Sequence, residues 1–154
     1  MMQQDPMQLA DRHAIAELFY AYARHFDRNE PEAIVALFTE DAIVDYGPEF
    51  ATARGVDEIL AGISQGLSTN FAATSHHVSN ISIEFIDSDN ATAVAYVYAW
   101  HRYRDGSPDG HLWGQYHTAL RRYGDDWKVA DLVLKAAGTS DFHRSRMHPI
   151  GRRA

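Results

Sequence analysis

Apolar positions in the first 65 residues recur at helical steps, and those after residue 74 alternate as in strands. Ile15, Leu18, Phe19, Tyr22 and Phe26 fall three and four residues apart, which predicts an amphipathic helix over 11–26 with Asp11 as its cap. Asp27-Arg28-Asn29-Glu30-Pro31 interrupts the stripe. Ile34, Leu37 and Phe38 then predict a second, short helix, with Pro31 suited to its first turn and Thr39-Glu40-Asp41 ending it. IVDYG, closed by Gly47-Pro48, reads as a short strand, and Ile59, Leu60 and Ile63 as the stripe of a third helix. Residues 66–73 are rich in Gly, Ser, Thr, Asn and Ala and read as loop. Four strand patterns follow: SHHVSNISIEFI, ATAVAYVYAWHRYR, HLWGQYHTALRRY and WKVADLVLKAAG, separated by turns such as DGSPDG.

Helices first and hairpin-linked strands afterwards predict an α+β fold. The simplest assembly is one strongly curved antiparallel sheet with the three helices laid across its concave face, a cone enclosing an apolar pocket. Residues 1–154 are expected to form a single domain, with a core over about 8–138 and a polar, basic tail over about 139–154. His143 and His148 fall in that tail.

Composition narrows the partners. A formal charge of −7 argues against nucleic acid and anionic membranes. No apolar run approaches the ~20 residues that span a bilayer, and the N-terminus lacks the basic-then-apolar order of a secretory leader. The chain has no cysteine, so disulfide and thiolate chemistry are excluded, which fits a cytoplasmic protein. No dinucleotide or phosphate-loop motif and no GxSxG occur, so no cofactor is expected. The histidine pairs 76/77 and 111/117 lack companions at ligand spacing, and no metal is expected.

The element order α-α-β-α-β-β-β-β, together with YARHFD, IVDYG, SHHVSN, YAWHRY and GQYHTALRRYGDDWKV, resembles the nuclear-transport-factor-2-like superfamily. Within it the chain is most similar to the SnoaL-like branch of polyketide cyclases, dehydratases and dehydrochlorinases. The resemblance implies a cystatin-like cone and directs attention to an acid on the first helix and a histidine at the start of the first long strand.

Asp27 occupies that acid position. It sits where the first helix runs out, where the macrodipole disfavours a carboxylate, and its alternative role is a solvated turn residue. His76 and His77 compete for the imidazole. Strict alternation puts His77 on the face of Ile81, Ile83 and Phe85. The resemblance favours His76, four residues before Asn80, and a bulge at the rim of a curved sheet would shift the facing by one. Both stay in the set, His76 first. An Asp-His dyad would orient the imidazole and stabilise its protonated form while the second nitrogen takes a proton from substrate.

The resemblance further implies pocket roles for Tyr22, Tyr46 and His101. Trp113 and Tyr116 are both substrate-binding candidates, but they differ by three along one strand, so one of them faces away. Tyr98 and Trp100 share a face opposite Ala99 and His101, and outward aromatics would suit a homo-oligomer built through the outer sheet face. The resemblance is broken at the last strand, where dehydrochlorinases carry an arginine and this chain has Ala137, with only Lys135 nearby.

The expected function is therefore a cofactor-free lyase of the dehydratase or cyclase kind, acting on a cyclic or polyketide-like small molecule. The alternatives are a non-catalytic binding or assembly domain, and an isomerase or dehydrohalogenase.

Overall fold

The computed structural model describes residues 6–153. Its elements are α1 (Pro6–Asp27), α2 (Pro31–Val35), β1 (Phe38–Asp45), β2 (Ala53–Arg54), α3 (Gly55–Thr69), β3 (Phe71–Phe85), β4 (Asn90–Tyr103), β5 (Gly110–Tyr123), β6 (Asp126–Ser140) and β7 (His148–Pro149). They form an α+β cone: one sheet in the order β2-β1-β6-β5-β4-β3, with the helices on its concave side and β7 added beside β6. The four long strands make an antiparallel meander. The sheet is mixed rather than antiparallel throughout, because β1 and β7 both pair with β6 in parallel.

Alternation builds the core. Ala91, Ala93, Ala95, Val97, Ala99 and His101 of β4 face inward, and the apolar ones share one core with Ile15, Phe19 and Tyr22 of α1. Apolar burial of this kind contributes about 25 cal/mol per Å².

Several elements differ from their sequence reading. α1 begins at Pro6, so Asp11 lies inside the helix and caps nothing. Its carboxylate instead accepts hydrogen bonds from Arg122 Nη2 at 2.6 Å and Trp127 Nε1 at 3.0 Å, tying α1 to the β5–β6 hairpin. α2 stops at Val35, and Leu37 and Phe38 belong to a turn and to β1. Leu37 accepts a backbone hydrogen bond from Val129, and this pulls the chain into the sheet five residues before IVDYG begins. The stretch read as loop at 66–73 is helix to Thr69 and strand from Phe71. Leu67 is buried and extends the stripe of Ile59 and Ile63, while Ser68 and Thr69 turn their hydroxyls back to the Gln65 carbonyl.

The expected tail is structured. After β6 the chain turns at Asp141, whose φ is +48°, and runs back over the open end of the cone. Three clasps hold it. Tyr103 Oη accepts the His143 N–H at 2.9 Å, Glu49 accepts the N–H groups of Ser145 and Arg146, and His148 pairs with Asp45 at 2.9 Å. No described helix is long and apolar enough to cross a membrane.

Candidate active site

The last residue of α1 and the middle of β3 meet at the edge of the sheet. Asp27 Oδ1 lies 2.7 Å from His76 Nδ1 and accepts the Thr74 hydroxyl at 2.9 Å. Its other oxygen accepts the His76 backbone N–H at 2.9 Å. β3 is an edge strand, so this N–H has no strand to bond to, and the carboxylate takes the place of a ladder partner. These three hydrogen bonds offset the unfavourable position at the helix C-terminus.

The doublet divides as alternation requires. His76 pairs with Ala99 and faces inward, its side chain 7% exposed. His77 pairs with Tyr98 and stands on the outer face, where Ser75 Oγ lies 3.1 Å from its Nε2. The inward parity switches from even (His76, Val78) to odd (Ile81, Ile83, Phe85) across a bulge between Ser79 and Ser82, where Asn80 adopts φ +50°. His77 is therefore withdrawn as a catalytic candidate. The bulge, not a simple count along the strand, decides the facing.

His76 lines a cavity of about 290 Å³, near the lower end of ligand-pocket sizes. Asp27 does not line it: it sits behind the imidazole, beside Tyr20, Arg24 and Arg28 in a shallow outer groove. With Nδ1 held by the carboxylate, Nε2 is the nitrogen left for chemistry. It has no protein hydrogen-bond partner among the described residues.

Tyr22, Tyr46, His101 and Tyr116 all line the same cavity. The hydroxyls of Tyr22 and Tyr46 are hydrogen-bonded to each other. Tyr22 stacks edge-on to Tyr116 and Phe38. Burial raises all three tyrosines, Tyr46 to about 12 and Tyr22 and Tyr116 well above the ordinary range, so they are neutral donors. His101 packs 5.4 Å from His76, ring to ring, and its Nδ1 is buried without a partner. Burial, with His76, His143 and Arg144 adding to it, pushes His101 down to about 2, so its imidazole is neutral.

Trp113 is a correction. Unbroken alternation along β5 puts Tyr116 inward, opposite Ala95, and Trp113 on the outer face opposite Tyr98, 48% exposed and stacked with His111. It cannot touch the cavity.

Phe142, His143 and Arg144 were missed. All three come from the folded-back tail and line the cavity. Phe142 stacks on His101 at 5.4 Å and 28°. Nothing in the polar run DFHRSRMHP marks it as a pocket wall, since its burial depends on clasps from Tyr103 and Glu49, distant in sequence. Among the described residues no three His, Cys, Asp or Glu side chains converge to hold a metal ion.

The model of the SnoaL-like domain matches residues 7–133. The chain belongs to the SnoaL-like family. A solved structure from Novosphingobium aromaticivorans, provisionally named a scytalone dehydratase, is 38% identical and superposes with a TM-score of 0.90 over 96% of this chain and 98% of its own. A second protein from that organism, provisionally named an aromatic ring hydroxylase, is 27% identical with a TM-score of 0.80, covering 89% and 95%. The hexachlorocyclohexane dehydrochlorinase LinA-type3 of Novosphingobium barchaimii shares the fold at 17% identity, with a TM-score of 0.80 over 94% and 98%. No curated protein matches the chain in sequence.

Proposed function

We propose that this SnoaL-like protein is a cofactor-free lyase of the dehydratase or cyclase type, acting on a small cyclic or polyketide-like molecule. The observation that carries the reading is the Asp27–His76 pair at the wall of an apolar cavity with Nε2 unengaged. In the proposed step, Nε2 removes a proton from the carbon next to a substrate carbonyl. The electron pair moves toward the carbonyl oxygen, which the tyrosine hydroxyls stabilise as charge develops. The imidazolium, stabilised by Asp27, returns the proton to a β-hydroxyl. The C–O bond breaks, a C=C bond forms and water leaves, so no oxidant or reductant is needed. Asp27 acts through His76 and is a positioning residue. The 38% identity to a provisionally named scytalone dehydratase supports this reaction type.

A dehydrohalogenase is disfavoured because Ala137 is exposed and Lys135 lies on the outer side of β6, opposite Gln115. A purely binding role is disfavoured because its cavity would need no oriented imidazole. The outer sheet face, with Tyr96 and Trp113 about half exposed, is the surface for self-association.

The test is a panel of cyclic β-hydroxyketones monitored for the ultraviolet absorbance of the enone. Wild-type protein should form enone, and H76N should lose about 10²–10⁴-fold in rate, the usual contribution of a general base. A substrate turned over equally by wild type, H76N and D27N would remove the dyad from the mechanism.

A further inference from the structure

The returned tail brings a cation into the cavity. Arg144 lays its guanidinium 4.6 Å from the Phe50 ring centroid and 5.5 Å from that of Tyr46, and one Nη donates to the Tyr46 carbonyl. Its Nε is buried with no partner. Among the described residues no carboxylate forms an ion pair with it. The nearby acids are engaged elsewhere: Glu49 with Ser145 and Arg146, Asp45 with Gly47 and His148, Asp27 with His76. The other polar groups lining the cavity include the neutral Tyr22, Tyr46, Tyr116, His101 and His143.

A buried guanidinium without a counter-charge is costly, and the clasps on either side show that it is held there rather than swept in by a loose end. An anionic oxygen entering the cavity would supply the missing charge and accept from a fixed fork of donors. We propose that Arg144 is the anion-binding residue of this cavity, and that its ligand class is small ring compounds bearing an acidic oxygen, a phenol or a carboxylate. This deepens the lyase reading and rests on it for the claim that the bound compound is a substrate. Arg144 would hold the acidic oxygen while His76 works on the carbon skeleton.

The probe is para-nitrophenol, whose ionised form absorbs in the visible, compared with para-nitroanisole, which has the same ring and no acidic oxygen. Bound to wild-type protein, para-nitrophenol should titrate about one unit or more below its value in water, as expected for an acid beside a cation. It should bind about tenfold or more tightly than para-nitroanisole. R144Q should abolish the shift and R144K should keep part of it. D27N should lose turnover yet keep the shift, so failure of the dyad and failure of the anion site are separable. Equal binding of the two probes to wild type, binding of neither, or an undiminished shift in R144Q would overturn the proposal. The wild-type comparison decides even if R144Q does not fold.

Discussion

At the scale of single residues, the two histidines of SHHVSN are adjacent in sequence and have opposite surroundings in space. His76 meets Asp27 on one side and the cavity on the other, while His77 meets Ser75 and Tyr98 on the outer face. Replacing each separately gives a sharp contrast. H77N should change turnover by no more than about twofold, because surface substitutions away from special features are nearly neutral. H76N should lower it by about 10²–10⁴-fold. Equal losses in both would mean that the strand is misread. The doublet also shows what one residue type can hide. The choice between the two was open in the sequence because the deciding feature, the bulge at Asn80 with φ +50°, is a backbone event. Asn tolerates that conformation better than most residues, but it occurs in many other settings.

At the scale of elements, the joins between segments far apart in sequence were the least legible. The stripe from Ile15 to Phe26 and the alternation of β4 specify a helix and a half-buried strand directly, because each periodicity is local. Asp11 was misread as a cap because its partners, Arg122 and Trp127, are more than a hundred residues away. D11N should lower stability by about 1–3 kcal/mol, the cost of leaving a half-buried charged donor unsatisfied, measured by urea unfolding. No loss would mean that the α1–hairpin tie is solvent-screened. The tail depends on a similar long-range fit. A Cβ at Gly110 would lie 2.0 Å from Tyr103 Oη and 2.9 Å from the Asp141 carbonyl, so only glycine lets Tyr103 reach the His143 N–H. G110A should therefore release the tail, raising amide exchange over residues 141–150 well before the sheet opens. Unchanged protection there would show that the other clasps suffice.

At the scale of the whole molecule, closing the cone buries imidazoles in neutral form. Burial, with nearby cationic groups, pushes His101 down to about 2, and burial with Arg144 pushes His143 down to about 4. Unfolding returns both to about 6.5. Above that value neither state binds a proton at these sites and stability is full. As the pH falls through about 6.5, the unfolded chain takes up protons that the folded one refuses, so stability declines towards pH 4, where His143 begins to protonate in the fold. At pH 5 the loss is about 2 kcal/mol per imidazole, read as a falling Tm. H143Q should flatten the curve by about one proton, and a Tm constant from pH 8 to 5 would contradict the burial. The outer face makes a separate prediction at this scale. W113K should shift sedimentation towards the monomer if Trp113 lies in a self-association surface, and an unchanged oligomer would place that surface elsewhere.

The central claim is that Asp27 fixes the protonation of His76 so that a bare Nε2 faces the cavity. Nitrogen-15 NMR of the histidine side chains reads this without any substrate. In its neutral form His76 should show a protonated Nδ1 and an unprotonated Nε2 as a single tautomer, and D27N should collapse that signature to the averaged pattern of a free imidazole. A proton on Nε2 in the wild type, or a His76 spectrum indifferent to D27N, would contradict the account.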